Sequence, residues 1–546
     1  MQKATGGWHM ENDAMTFNLA SAVHRHSQAT PQAFALSFEG SYLTYGQLAA
    51  QAAGLAECLK NSPGWTGKNG AQPRVGILAS RSADACIALL GASWAGATYV
   101  PLGLKLPEER LLTILSLCNL SAIVADAQGA RLLSEKVLQA GPPLVCVLGA
   151  APPVAPSGPP DDGRIAWLDP QALAASAPGQ SQPAHVKATD TAYIIFTSGT
   201  TGIPKGVMIA AGAIRHYVET VTAMLGLRET DRALETCELT FDVSLHNMFC
   251  TWEAGASLHV LPAARVMNAV KFARENALTV WNSVPSLVGM LRQVKALGPS
   301  ALPGLRLTVF GGEQLSKGAV EAWKAAAPAS TIHNFYGPTE VTVYCLSQLL
   351  AEPTPLTPGR DVVAIGTALP GSEAAVLDAA GNPVADNCVG ELALAGVQLA
   401  IGYLNAPELT NARFATFAGK RWYLTGDLAM RDATGTFHWL GRMDNQVKVM
   451  GHRVELEEID AHLRVVADAD MVASVPWPMV EGAAQGLVAF VGASIIDDAQ
   501  ISRALKARLP HYMIPSRIFA IEDMPLNSNG KVDRKALRQR LESGME

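Results

Sequence analysis

The chain has 546 residues, 49% apolar and 16% charged, with a formal charge of −6. That length exceeds what one hydrophobic core sustains, and that apolar content argues against disorder, so at least two folded domains are expected. No basic stripe able to neutralise a phosphate backbone is present, which speaks against nucleic acid, and neither a signal peptide nor about 18 uninterrupted apolar residues occurs, so no membrane span is expected and the default location is cytoplasmic.

In chain order, residues 74–80 read as a strand, 82–96 as a helix, 98–102 as a strand, 107–119 as a helix and 121–126 as a strand. This is βαβ grammar. The stretch 149–190 is rich in Pro, Ala, Gly and Ser and reads as a surface connection before the strand 191–196. The alternation returns at 277–284, 285–297, 305–312, 316–326 and 330–337. Beyond Asp444, a helix at 454–468, a strand at 486–493 and a helix at 501–510 suffice for a small α+β domain. The expected fold is therefore α/β, a large N-terminal domain (1–443) of layered α/β subdomains and a small C-terminal α+β domain (444–546). The eight cysteines show no CxxC or Cys/His spacing and read as buried reduced thiols.

The most informative segment is 197–206, Thr-Ser-Gly-Thr-Thr-Gly-Ile-Pro-Lys-Gly, directly after a strand. Glycines admit backbone N–H groups to phosphate oxygens, hydroxyls donate, and Lys205 adds charge. The spacing is not Walker A, and by itself the segment suits a flexible surface loop as well as an anion cradle. It is followed by Asn334-Phe335-Tyr336-Gly337-Pro338-Thr339-Glu340, Thr425-Gly426-Asp427, the segment Gly441 to Lys448, and Asn529-Gly530-Lys531.

This ordered series resembles the adenylate-forming superfamily. With Phe241-Asp242-Val243-Ser244 and Leu509-Pro510-His511-Tyr512-Met513-Ile514-Pro515 it resembles, more narrowly, the adenylation domains of nonribosomal peptide synthetases. The resemblance implies ATP and Mg2+, an amino acid substrate and a phosphopantetheinyl carrier. It assigns Lys531 and Thr200 to catalysis and Glu340 to catalysis and Mg2+. Thr197, Ser198, Gly199, Thr201, Gly202 and Lys205 fall to the phosphates. Gly312, Asn334, Phe335, Tyr336, Gly337, Thr339, Asp427 and Arg442 fall to the nucleotide, with Asp427 accepting the ribose hydroxyls. Asp444 matches the hinge about which the small domain is expected to rotate, presenting the Gly451 loop to the pantetheine arm.

Asp242 matches the carboxylate that pairs with a substrate α-ammonium, although a helix cap is an alternative use of an aspartate there. The remaining pocket positions are Val243, His246, Asn282, Val309, Gly311, Phe335, Val343 and Tyr344. Phe335 and Tyr344 shorten it, while His246, Asn282 and the Tyr344 hydroxyl favour a small to medium, hydroxylated amino acid. A compact apolar one is the alternative, with His246 and Asn282 bonding to each other. Three residues depart from the family pattern: Asn247 for glutamate, Glu457 for glycine and Ser372 for asparagine. No Gly-Gly-x-Ser segment follows Lys531, so the carrier is expected on another polypeptide, with the need for a small accessory protein open. A coenzyme A ligase and a silent nucleotide-binding scaffold are the competing functions.

Overall fold

The computed structural model describes residues 16–62, 65, 70–149, 165–176, 181–199, 203–480, 483–526 and 532–544. Up to residue 442 these residues build three sheets. An eight-stranded sheet runs in the order Gly402–Tyr403, Lys205–Ala210, Thr191–Thr197, Thr98–Pro101, Arg74–Leu78, Ala122–Ala125, Leu144–Leu148 and Ile165–Leu168. A nine-stranded sheet carries Thr331–Tyr336, Leu307–Gly311, Val280–Ser283 and Arg232–Glu235 as consecutive parallel neighbours. A five-stranded sheet holds Thr425, Asp427 and Arg442 on adjacent strands, with Asp427 opposite Arg442.

One continuous core joins the two large sheets and includes Tyr45, Trp94, Tyr193, Tyr217 and Trp252. The helix Ala83–Trp94 lies inside it, and from Ala85 onward every residue is buried. A helix apolar on all sides has no face to offer water, which is why this stretch is so rich in Ala, Ile and Leu. Residues 446–480, 483–526 and 532–544 form a four-stranded and a three-stranded sheet over separate cores, around Leu463 and Leu487 and around Phe490 and Leu537.

The stretch 149–190 is more than a connection. Ile165–Leu168 pairs in parallel with Leu144–Leu148 at the sheet edge, and the helix Pro170–Ser176 follows. Four apolar strand residues within a Pro- and Ser-rich background are hidden when composition is averaged over the whole stretch. The cysteines also divide. Cys388 is exposed, Cys58 and Cys237 are half-buried, and the other five are buried; all are free. Among the described residues no helix is long and apolar enough to cross a membrane, and no group of three or more His, Cys, Asp or Glu side chains is placed to hold a metal.

Helix Pro170–Ser176 lies so close to helix Tyr45–Lys60 that a Cβ on Gly54 would sit 2.1 Å from the Leu173 carbonyl oxygen. Gly54→Ala is therefore expected to destabilise by about 1–3 kcal/mol through overpacking. Gly289→Ala, in a helix with nothing within 4 Å of the new methyl, should leave stability unchanged or raise it. Parallel denaturation curves of the two variants check this.

Candidate functional site

The parallel strands of the nine-stranded sheet end together at Glu235, Ser283, Gly311 and Tyr336, and Thr197 ends its strand in the neighbouring sheet. Crevices beyond the carboxyl ends of such strands are where open α/β sheets bind ligands. A cavity of about 920 Å3 opens there, lined by Thr197, Ser283 and Tyr336 from these strand ends and by Asp444, Lys448, Gly451 and Arg453.

The nucleotide side contains most of the residues that the motifs single out. Thr197, Ser198, Gly312, Asn334, Phe335, Tyr336, Gly337 and Thr339 line the cavity, as do Asp427, Arg442 and Asp444. The Tyr336 hydroxyl donates to Asp427, and Arg442 donates to the same carboxylate at 3.0 Å while gripping Asp444 through two bonds of 2.8 and 2.6 Å. Asn334 donates to the Ala364 carbonyl at 2.9 Å. Its Oδ1 and the Thr197 hydroxyl, both buried, have no partner among the described residues. Buried polar atoms are rarely left so, and both suit a polar ligand in the cavity. Gly199, Lys205 and Glu340 are not among the residues that line it. Thr200, Thr201, Gly202 and Lys531 lie outside the described residues.

Asp242 also lines the cavity and is 8% exposed. It precedes the turn Val243–Leu245 but caps nothing, and its Oδ2 has no partner among the described residues. Burial pushes its carboxyl up to about 6, only partly opposed by Thr339 and by the Lys448 ammonium. A dry, half-answered carboxylate is costly unless a cation or donor completes it.

The side-chain pocket is shorter than the motif positions suggest. Val243, Phe335, Val343 and Tyr344 line the cavity, whereas His246, Asn282, Val309 and Gly311 do not. The Tyr344 ring lies across Gly311, where a Cβ would meet it at 2.5 Å, and so closes the floor. His246 pairs through Nδ1 with the Tyr217 hydroxyl at 2.7 Å, and burial lowers its imidazole to about 3. Asn282 donates to Asn247 at 2.7 Å, so His246 and Asn282 do not bond to each other. Asn247 stands near Glu235, whose carboxyl burial pushes up to about 8. The glutamate usual at position 247 would set a second buried carboxylate against Glu235, which the amide avoids.

Two positioning groups were not anticipated from sequence. Thr342 and Val343 are β-branched residues at φ of 55° and 64°, a conformation that such side chains resist. Gln398, fully buried, holds them there by donating to the carbonyls of Tyr344, Thr342 and Val341 at 2.8, 3.2 and 3.3 Å. Ser372, another departure from the family, donates to Gln398 Oε1 at 3.0 Å. Lys448 opens onto the cavity, its ammonium lowered by the crowding walls despite Asp427, Glu313 and Asp242 nearby. A lone lysine or glutamine carries no spacing signal, although Lys448 does fall inside a quoted motif.

The hairpin Gln446–Val449/His452–Glu455 is inserted into the site, with Gly451 at the Val284 side chain. His452 stacks on Tyr512 at 3.8 Å and meets Phe241 edge-on at 4.7 Å. Glu340, 1% exposed, accepts from Tyr403 at 2.8 Å and from Arg453 at 2.9 and 3.1 Å. Burial alone would raise its carboxyl, but Arg453 and Tyr403 outweigh burial and hold it below the ordinary glutamate value.

The profile of the family described as AMP-binding enzyme matches residues 23–404. The chain belongs to that family. It is 30% identical to the D-alanine–D-alanyl carrier protein ligase of Lacticaseibacillus rhamnosus over 96% of this chain and 99% of that protein. It is 33% identical to bacitracin synthase 3 of Bacillus licheniformis over 94% of this chain, but spans only 7% of that synthase. Among solved structures, the Vibrio cholerae adenylation domain AlmE in complex with glycyl-adenosine-5'-phosphate superposes with a TM-score of 0.82 at 30% identity, covering 98% of this chain and 99% of that one.

If the Asp242 carboxylate meets a cation, only its ionised form does so. In the adenylation half-reaction kcat/KM for the substrate should rise about tenfold per pH unit up to about pH 6 and level off above it. A profile in which Asp242→Asn keeps the same break would assign the titration to another group.

Proposed function

We propose that the protein activates a small amino acid as its aminoacyl-adenylate and then transfers it to the pantetheine thiol of a separate carrier protein. The observation that carries this reading is the unanswered Asp242 Oδ2, a buried acceptor on a cavity wall suited to an α-ammonium. A coenzyme A ligase acting on acids without an amine would leave that carboxylate unpaired. In the first half-reaction the substrate carboxylate attacks the α-phosphorus of ATP and pyrophosphate leaves. Lys531, by the resemblance, supplies positive charge between the approaching anions. Asn334 Oδ1, without a partner among the described residues, can accept from an adenine amine, and Asp427, which already accepts from Tyr336 and Arg442, has further lone pairs for the ribose hydroxyls.

Among the described residues Glu340 belongs to no group of three or more His, Cys, Asp or Glu side chains placed to hold a metal, so it would hold Mg2+ as a single protein carboxylate and not as part of a protein cage. Glu340, now paired with Arg453, is the residue that would hold Mg2+, which would supply charge neutralisation of the phosphates. In the second half-reaction residues 444–546 turn about Asp444 as one unit, and the thiol attacks the adenylate carbonyl while AMP leaves. The inserted hairpin and the His452–Tyr512–Phe241 cluster at the cavity support this geometry for the thiol's approach.

Side-chain size is argued from Tyr344, whose ring fills the space at Gly311, so glycine, alanine or serine fits better than a long or aromatic side chain. The Tyr344 hydroxyl, without a partner among the described residues, is the group left to meet a small hydroxylated side chain. The relatives support small size, since the AlmE structure holds glycyl-adenosine-5'-phosphate and a ligase named for D-alanine aligns end to end.

Amino-acid-dependent pyrophosphate exchange over a panel of amino acids tests the reading, followed by loading of carrier protein against coenzyme A. Exchange is expected with small amino acids, and product with carrier only. Asp242→Ala should cost about 2–5 kcal/mol in activation of amino acids and much less for acids lacking the amine. Tyr344→Ala should shift the panel toward larger side chains. Equal losses for both substrate classes at Asp242, or exchange confined to large amino acids, would overturn the reading.

A further inference from the structure

Cys237 lines the cavity although it lies outside the motif series. It stands two residues beyond the strand Arg232–Glu235, and its N–H donates to the Glu235 carboxylate, which fixes the chain where it leaves the sheet. Five residues further on comes Asp242. Cys237, Asp242 and Tyr344 all line the cavity and lie close enough to act on one another electrostatically.

The sulfur is held from behind. Asn247 Nδ2 donates to Cys237 Sγ at 3.9 Å, and Asn247 Oδ1 in turn accepts from Asn282 at 2.7 Å. Both asparagines are buried, and neither lines the cavity. An ionised carboxylate at 247 would have no N–H to give, whereas the amide serves both neighbours, accepting from Asn282 and donating to the thiol. The chain of amides thus ends on a side chain that does face a ligand. Burial, with the Glu235 carboxylate beside it, pushes the Cys237 thiol up. It stays an uncharged S–H, too weak a nucleophile to intercept an activated acyl group, and serves as a compact, polarisable wall.

Resting on the amino-acid reading above, we infer that Cys237 is a specificity-determining residue of the side-chain slot, and that Asn247 and Asn282 act on the substrate through it, as positioning residues. With the ammonium held at Asp242, the first carbons of the side chain pass the sulfur on their way to Tyr344. The thiol and the phenol ring then set the width of the slot, as Tyr344 beneath Gly311 sets its depth. The side chains that fit are those of glycine, alanine and serine, and the ethyl group of 2-aminobutyrate is the first to press on the sulfur.

Each variant is read by the ratio of kcat/KM for 2-aminobutyrate to that for glycine in pyrophosphate exchange. Both values come from one preparation, so any unfolded fraction cancels. Cys237→Ala removes the sulfur and is expected to raise the ratio about tenfold, the discrimination that one methylene commands. Cys237→Val is expected to lower it. Asn247→Asp keeps the acceptor for Asn282 and removes the N–H given to the thiol. It is expected to raise the ratio about threefold in wild type and to leave it unchanged in the Cys237→Ala background, where no sulfur remains to be positioned. An unchanged ratio in Cys237→Ala, or an Asn247→Asp effect of equal size in both backgrounds, overturns the inference and leaves the adenylation reading standing. A wild-type protein that shows no exchange with any amino acid overturns both.

Discussion

An ionisable carboxyl held in a nearly dry wall with one oxygen unanswered is expensive, and much of the site is arranged around that expense at Asp242. Its backbone begins a turn whose following residues Val243 and Leu245 pack into the main core. The opposing wall is equally constrained. Thr342 and Val343 keep an unfavourable backbone because Gln398 satisfies three carbonyls at once, and that backbone carries Tyr344 beneath Gly311. Charge on one wall and bulk on the other leave a short slot with a negative end.

The cleft above this slot is governed by pairing of opposite charges across two bodies. A buried ion pair is worth little net, because desolvation offsets most of its attraction, yet removing one partner is severe. Lys205 and Glu340 can therefore change partners at small net cost but cannot be left alone. Family membership accounts for the presence of these residue types; the inserted hairpin accounts for their present partners.

The alternation of short apolar strands and amphipathic helices, the motif series and the identities of Asp242, Glu340, Asp427 and Arg442 were legible in the chain, because these depend on residue type at fixed local spacing. So was the small C-terminal assembly of strands and helices beyond Asp444. The strand Ile165–Leu168 was not, being four residues inside a turn-rich composition. The roles of Asn247 and Ser372 were visible only as departures until Glu235 and Gln398 appeared beside them.

What the sequence by itself determined is the residue types at fixed local spacing: a Gly- and Thr-rich segment ending in a lysine and two aspartates within motifs. Only the tertiary structure decided which polar atoms are spoken for. His246 turns to Tyr217 and Asn282 to Asn247, while Asp242 Oδ2 and Asn334 Oδ1, buried in residues that line the cavity, have no partner among the described residues. The physical reason is that a buried hydrogen bond is made by whichever group the packing of distant segments brings within about 3 Å, and that distance is not written in local spacing.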